Sequence, residues 1–174
     1  MTAVSNYENV PVVSVVGEKN SGKTTLIERL VSSLKKEGHR VGVMKYAQRR
    51  FQMDREGKDT YRFYQSGADA VGIASSDQMA FLKRIDSAPP LGKVLESHFS
   101  DVDIVLLEGY RGDDYPRICL TVRGKEAAGE KTAPEEGDHP VLRLDVSGLD
   151  DPVSHKVLED ALEFVKDTIK AHNG

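Results

Sequence analysis

The segment Gly17-Glu18-Lys19-Asn20-Ser21-Gly22-Lys23-Thr24 concentrates residue types suited to holding a polyphosphate. It matches the pattern G-x-x-x-x-G-K-[ST], and each fixed position has a physical reason. Gly17 and Gly22 let the backbone come close to phosphate oxygens where a side chain would collide. The successive N–H groups of the loop, those of Lys19, Asn20 and Ser21 among them, then form an anion-binding nest, which a following helix reinforces with the partial positive charge at its N-terminus. Lys23 is placed to reach the terminal phosphates and the Thr24 hydroxyl to ligate Mg²⁺. The Lys19 side chain either adds charge at the phosphates or stays solvated. The expected ligand is a nucleoside triphosphate with its Mg²⁺ ion.

Such a loop also needs a carboxylate at the C-terminal end of a neighbouring strand, to hold the metal or orient an attacking water. Glu108 fits, since it closes the apolar run Ile104-Val105-Leu106-Leu107 and is followed by Gly109. It is the expected partner of Thr24 as a metal ligand and of Lys23 in catalysis. A third cluster runs from Lys45 to Arg62, with Arg49, Arg50, Arg55, Lys58 and Arg62 interleaved with Asp54, Glu56 and Asp59. As a switch-like loop it would bring Asp54 to Mg²⁺ and offer its arginines to the phosphates of a second ligand. As a solvated loop it would only confer solubility. Both readings stand on the sequence. The five histidines are scattered, and none is given a metal role.

The surrounding elements are those the loop requires. Val10–Val16 is a near-continuous valine-rich run, the pattern of a strand buried on both faces of a parallel sheet. After the loop, Leu26, Ile27, Leu30, Val31 and Leu34 recur at helical spacing, and Gly38 ends that helix. Further strands are expected at Arg40–Tyr46, Ala70–Ala74, Met79–Arg84, Asp103–Leu107, Ile118–Val122 and Val141–Val146. Helices are expected at Lys58–Gln65, after Pro89-Pro90, and from about Pro152 to Ala171. The region 124–139, rich in Gly, Glu, Lys and Pro, reads as a mobile surface loop. The alternation predicts one α/β domain over residues 1–174, a P-loop NTPase-type three-layer sandwich with a mainly parallel sheet and antiparallel pairing near Met79–Arg84 and Ile118–Val122.

Gross composition sets limits. A chain of 174 residues is long enough for one real core, and 39% hydrophobic with 30% charged residues is an ordinary globular balance. A net charge of -4 argues against a nucleic-acid binder. Cys119 is the single cysteine, so there is no disulfide framework and no CxxC zinc pair. With no apolar run long enough for a bilayer and no signal core in residues 1–9, a cytoplasmic protein without membrane association is expected.

Three blocks together, GEKNSGKTTLIERLV, RVGVMKYAQRRFQMDREGKDTYRFYQSGADAV and DIVLLEGYR, resemble the molybdopterin-guanine dinucleotide biosynthesis protein B (MobB) family over roughly residues 11 to 123. The resemblance implies a small P-loop protein that binds GTP, hydrolyses it weakly and forms homodimers. It also implies a role beside the guanylyltransferase that joins GMP to molybdopterin in molybdenum-cofactor biosynthesis. By the same resemblance Gly22, Lys23, Thr24 and Thr25 contact phosphate and Mg²⁺, and Glu108 and Gly109 match a second nucleotide motif. Asp54, Lys58, Asp59 and Arg62 belong to a characteristic segment beside the site. Two positions depart from the family: Tyr46 stands where histidine is common, and Arg111 where lysine is, which keeps the charge but adds a planar fork suited to phosphate. Guanine preference comes from the resemblance alone, because the N-K-x-D string that usually reads guanine is absent and Asp145 and Asp150 are weak substitutes. Two other readings of a P-loop remain open on the residues. One is a small-molecule kinase with Arg49, Arg50 and Arg55 as its lid. The other is a nickel metallochaperone GTPase, which the solitary Cys119 disfavours.

Overall fold

Valine-rich β1 (Val12–Gly17) lies at the centre of a five-stranded sheet in the order β2-β5-β1-β6-β7, every pairing of which is parallel. The computed structural model describes residues 10–47, 51–112, 114–122, 139–147, 151 and 153–174. The remaining elements are α1 (Lys23–Lys36), β2 (Val41–Lys45), α2 (Asp59–Gln65), β3 (Ala70–Ala74), β4 (Met79–Lys83), α3 (Leu91–His98), β5 (Ile104–Glu108), β6 (Arg117–Thr121), β7 (Val141–Asp145) and α4 (His155–Asn173). The chain separates into two compact units: residues 1–46 with 91–174, and residues 47–90.

In the larger unit the sheet has a core on each face. Val13 and Val15, Ile104 and Leu106, Ile118 and Leu120, and Leu144 pack against Leu26, Leu30 and Leu34 of α1 and Ala161, Val165 and Ile169 of α4. The alternate residues Val12, Val105 and Leu107 face Leu95 of α3, with Met44 and Phe99 at the margin. Burial on both faces explains why these strands read as unbroken apolar runs. Gly42 lets α3 approach: a Cβ there would lie 2.5 Å from the Phe99 ring. The buried thiol of Cys119 is pushed above its ordinary pKa by that burial, which makes it a poor nucleophile or metal ligand at neutral pH.

Two expectations are corrected. β6 is parallel to both neighbours rather than antiparallel. Only eight residues, 109–116, join it to β5, a length that suggests a hairpin. However, β5 ends at Glu108 opposite Val15, and β6 begins at Arg117 opposite Ser14. The chain therefore only steps sideways across β1, roughly 10 Å at about 4.8 Å per strand, and needs no return crossover. Ser14 anchors the step, donating from its hydroxyl to the Tyr110 carbonyl and from its amide to the Pro116 carbonyl. The last helix also starts later than Pro152, because Ser154 caps it by accepting from the Val157 amide at 3.4 Å.

The smaller unit holds α2 and the antiparallel hairpin β3–β4, registered Ala70 to Lys83 and Ala74 to Met79. Arg84 ties them, donating to the Tyr64 and Ala68 carbonyls while its guanidinium sits 3.9 Å over the Tyr64 ring. No residue of 51–90 is buried, and Ile73, Met79 and Phe81 are exposed by 61%, 73% and 71%. The segment expected to be a mobile loop, 124–139, lies outside the described residues except for His139.

Candidate functional site

The turn after β1 is built by residues that tolerate unusual backbone. Gly17 ends the strand against Leu120 of β6, and a Cβ on it would meet the Leu120 carbonyl oxygen and the Ser21 hydroxyl, each at 2.7 Å. The Ser21 amide donates to the Glu18 carbonyl at 3.2 Å, closing a tight turn over exposed Lys19 and Asn20. Asn20 takes the left-handed conformation at φ 64°, which asparagine tolerates better than most residues. Gly22, also left-handed at φ 86°, is the N-cap of α1 and offers no side chain to the helix's first amides. The first turn of α1 contains no acidic residue. The helix therefore presents its amides toward the loop, an arrangement that favours an anion.

Lys23 folds its ammonium back over this loop. It donates to the Gly17 carbonyl at 3.0 Å and to the Glu18 carbonyl, and lies 3.5 Å from the Ser21 hydroxyl. The ammonium is thus held on the carbonyl side of the glycine turn. The neighbouring Thr24 hydroxyl donates to Glu108 Oε1 at 3.4 Å, joining the start of α1 to the end of β5 across 84 residues. Thr25 follows at the half-buried third position of the helix. The expected meeting of loop, Thr24 and Glu108 is therefore present in the geometry.

The donor set suits Mg²⁺. A hydroxyl and a carboxylate are hard oxygen ligands, and Mg²⁺ takes few protein ligands, drawing the rest from water and phosphate. Among the described residues no group of three or more His, Cys, Asp or Glu is placed to hold a metal. At Gly17 the space a Cβ would need is closed by the Leu120 carbonyl oxygen and the Ser21 hydroxyl, so glycine there lets the turn pack against β6.

Lys45 is the site residue that the motif reasoning missed. Its ammonium lies 3.0 Å from the same Glu108 oxygen, and the register of β2 on β5 sets the two residues side by side. The signal was in the sequence, since both close apolar strands that face one crevice, but it needs the strand order to be read. Tyr46 follows, its amide donating to the Glu108 carbonyl at 2.9 Å and its ring meeting Tyr110 edge-on at 5.2 Å. The phenol of Tyr110 donates to Asp114, and burial together with that carboxylate holds its pKa well above the ordinary value. Gly109, at φ 81°, makes the turn between the Glu108 and Tyr110 side chains. Arg111 lies on the 109–116 step toward β6, where its charge is felt at Cys119.

Most of the other expected residues belong to the smaller unit. Asp54 accepts from the Arg55 amide at 2.7 Å and lines a cleft of about 200 Å³ with Met53, Thr60 and the hairpin residues Val71, Ile73 and Phe81. Lys58 is the N-cap of α2, and Asp59 pairs with Arg62 at 3.8 Å on its exposed face. Arg49, Arg50 and Asp150 lie outside the described residues. Asp145 ends β7 and accepts from the Ser147 amide at 2.9 Å.

Residues 12–139 match the family model described as molybdopterin guanine dinucleotide synthesis protein B. The molybdopterin-guanine dinucleotide biosynthesis adapter protein of Escherichia coli K12 is 28% identical over 179 aligned residues, covering 95% of this chain and 97% of that protein. The protein of the same name from Haemophilus influenzae is 31% identical over 112 residues, 64% of this chain. That match spans 63% of the Haemophilus protein, and a match to a Bacillus subtilis relative spans 64% of its length. A crystal structure of molybdopterin-guanine biosynthesis protein B superposes with a TM-score of 0.62 at 28% identity, covering 91% of this chain and 99% of that one.

Proposed function

This chain belongs to the molybdopterin guanine dinucleotide synthesis protein B family, and on that premise we propose that it is a GTP-binding adapter of molybdenum-cofactor biosynthesis. In this reading it assists the guanylyltransferase that attaches GMP to molybdopterin, works in the cytoplasm, and hydrolyses GTP slowly. The observation that carries the nucleotide half is the meeting of Thr24 and Glu108 at the mouth of a glycine turn already occupied by the Lys23 ammonium. The names of the relatives carry the pathway half.

The residues divide the work. The amides of the loop and of the first turn of α1 seat the phosphates, and Lys23 moves from the Gly17 and Glu18 carbonyls to the β- and γ-phosphate oxygens. Thr24 and Glu108 hold Mg²⁺, which when bound screens the charge of the terminal phosphates. Hydrolysis forms a bond from a water oxygen to the γ-phosphorus and breaks the bond to the β–γ bridging oxygen, whose electron pair leaves with GDP. Glu108 is the side chain placed to orient that water.

Competition binding of GTP against ATP, with and without the guanylyltransferase and molybdopterin, tests this reading. GTP is expected to displace a bound guanine nucleotide at a concentration at least about 10-fold lower than ATP, a difference of about 1.4 kcal/mol. Equal potency would remove the guanine assignment and leave only a nucleotide-binding adapter.

The smaller unit supports a homodimer. A two-stranded hairpin is marginal by itself, and here it exposes Ile73, Met79 and Phe81 in a unit with no buried residue among those described. A second copy presenting the same face would bury this apolar surface symmetrically. Sedimentation equilibrium is expected to show a dimer that Phe81→Asp shifts to monomer, while a monomeric parent protein would overturn the proposal.

A further inference from the structure

One oxygen of Glu108 serves two side chains. Its Oε1 lies 3.0 Å from the Lys45 ammonium and 3.4 Å from the Thr24 hydroxyl. The Glu108 side chain is only 14% exposed, whereas that of Lys45 is 69% exposed and free to leave. We propose that Lys45 is a tethered counter-cation, neutralising Glu108 until Mg²⁺ takes the carboxylate, so that the nucleotide can bind before the metal does.

The argument is electrostatic. A carboxylate at the mouth of a phosphate loop repels the incoming polyphosphate, and a largely buried one is poorly screened by salt. Thr24 cannot cancel this repulsion because its hydroxyl is a neutral donor. Lys45 can, and the parallel register that sets it beside Glu108 makes the pairing a property of the sheet edge rather than of a wandering side chain. Once a divalent cation sits on Glu108, like charge repels the ammonium. Its flexible stem and high exposure make departure easy, since a pair with one solvated partner is individually weak. Lys45 would then be a positioning residue that couples nucleotide and metal binding, distinct from Lys23, which meets the phosphates.

The inference rests on the phosphate-loop reading, and one experiment separates the two. GTP affinity is measured by calorimetry for the parent protein, Lys45→Met, Glu108→Gln and the double variant, each in EDTA and in excess Mg²⁺, with thermal melts confirming folding. Lys45→Met is expected to weaken binding about 5- to 10-fold in EDTA, a coupling of ordinary size, and to change it less than about twofold in Mg²⁺. In the Glu108→Gln background the same substitution should have no effect in EDTA, because no carboxylate remains to be neutralised. An equal loss in both buffers would make Lys45 a direct phosphate ligand and overturn the inference. So would no loss in EDTA, or parent protein that binds GTP only when Mg²⁺ is present. Parent protein that fails to bind GTP in either buffer would instead sink the phosphate-loop reading itself.

Discussion

Lys23→Ala should lower GTP affinity by about 100-fold, about 3 kcal/mol at the upper end for hydrogen bonds to charged groups. The size follows from position. The ammonium already rests on the Gly17 carbonyl at 3.0 Å, beside the Glu18 carbonyl and near the Ser21 hydroxyl. A phosphate seated in the turn would meet that charge at short range, where solvent screening is least effective. The carbonyls released by the substitution can turn to water, because Gly17 and Glu18 are only half-buried. Stability should therefore fall by less than about 1 kcal/mol, the usual bound for changes away from a packed core. The measurement is calorimetric titration with GTP–Mg²⁺, paired with a thermal melt. Unchanged affinity in a folded variant would remove the loop as the phosphate site.

How much of this site was legible in the sequence depended on whether local pattern or long-range pairing decided each feature. The loop was legible because the glycines, Lys23 and Thr24 act within one turn, and their flanks switch from a valine run to helical periodicity at that point. Glu108 was legible for a related reason: a carboxylate closing an apolar strand must emerge at the same sheet edge as the loop. Lys45 satisfied the same rule, but its meaning depended on β2 lying beside β5, and strand order is not written in any local window. The direction of β6 was hidden in the same way. Eight residues look like a hairpin until the stagger of β6 along β1 shows that the chain has no distance to run back. The hairpin was legible in part: AVGIA and MAFLK are the expected strands and pair antiparallel, but that they form a separate two-stranded sheet with no buried residue was not. Apolarity marks surface that should be covered, and it does not say whether the cover comes from the same chain.

Gly17→Ala is expected to damage nucleotide binding out of proportion to its effect on stability, and the comparison with Gly38→Ala isolates the reason. At Gly17 the added methyl would fall 2.7 Å from the Leu120 carbonyl oxygen, 2.7 Å from the Ser21 hydroxyl and 3.1 Å from the Leu120 Cβ. The hydroxyl can rotate, but the carbonyl belongs to β6 where it pairs with β1, so the end of β1 must move instead. That movement lifts the first residue of the turn off the sheet and displaces the amides that would face phosphate. Overpacking of this kind costs about 1–3 kcal/mol, a fall in Tm of about 2–4 °C per kcal/mol for a chain of this size. Gly38, just beyond α1, has φ +90°, and an added methyl there would find nothing within 4 Å. Its substitution should cost about 1–2 kcal/mol of backbone strain and leave the loop untouched. Both variants should therefore melt a few degrees early, but only Gly17→Ala should lose GTP, by at least about 10-fold, or 1.4 kcal/mol. Calorimetric titration of the two folded variants decides it. Equal GTP affinities would mean that the close approach at Gly17 serves the β1–β6 pairing alone, and that the phosphates are held elsewhere.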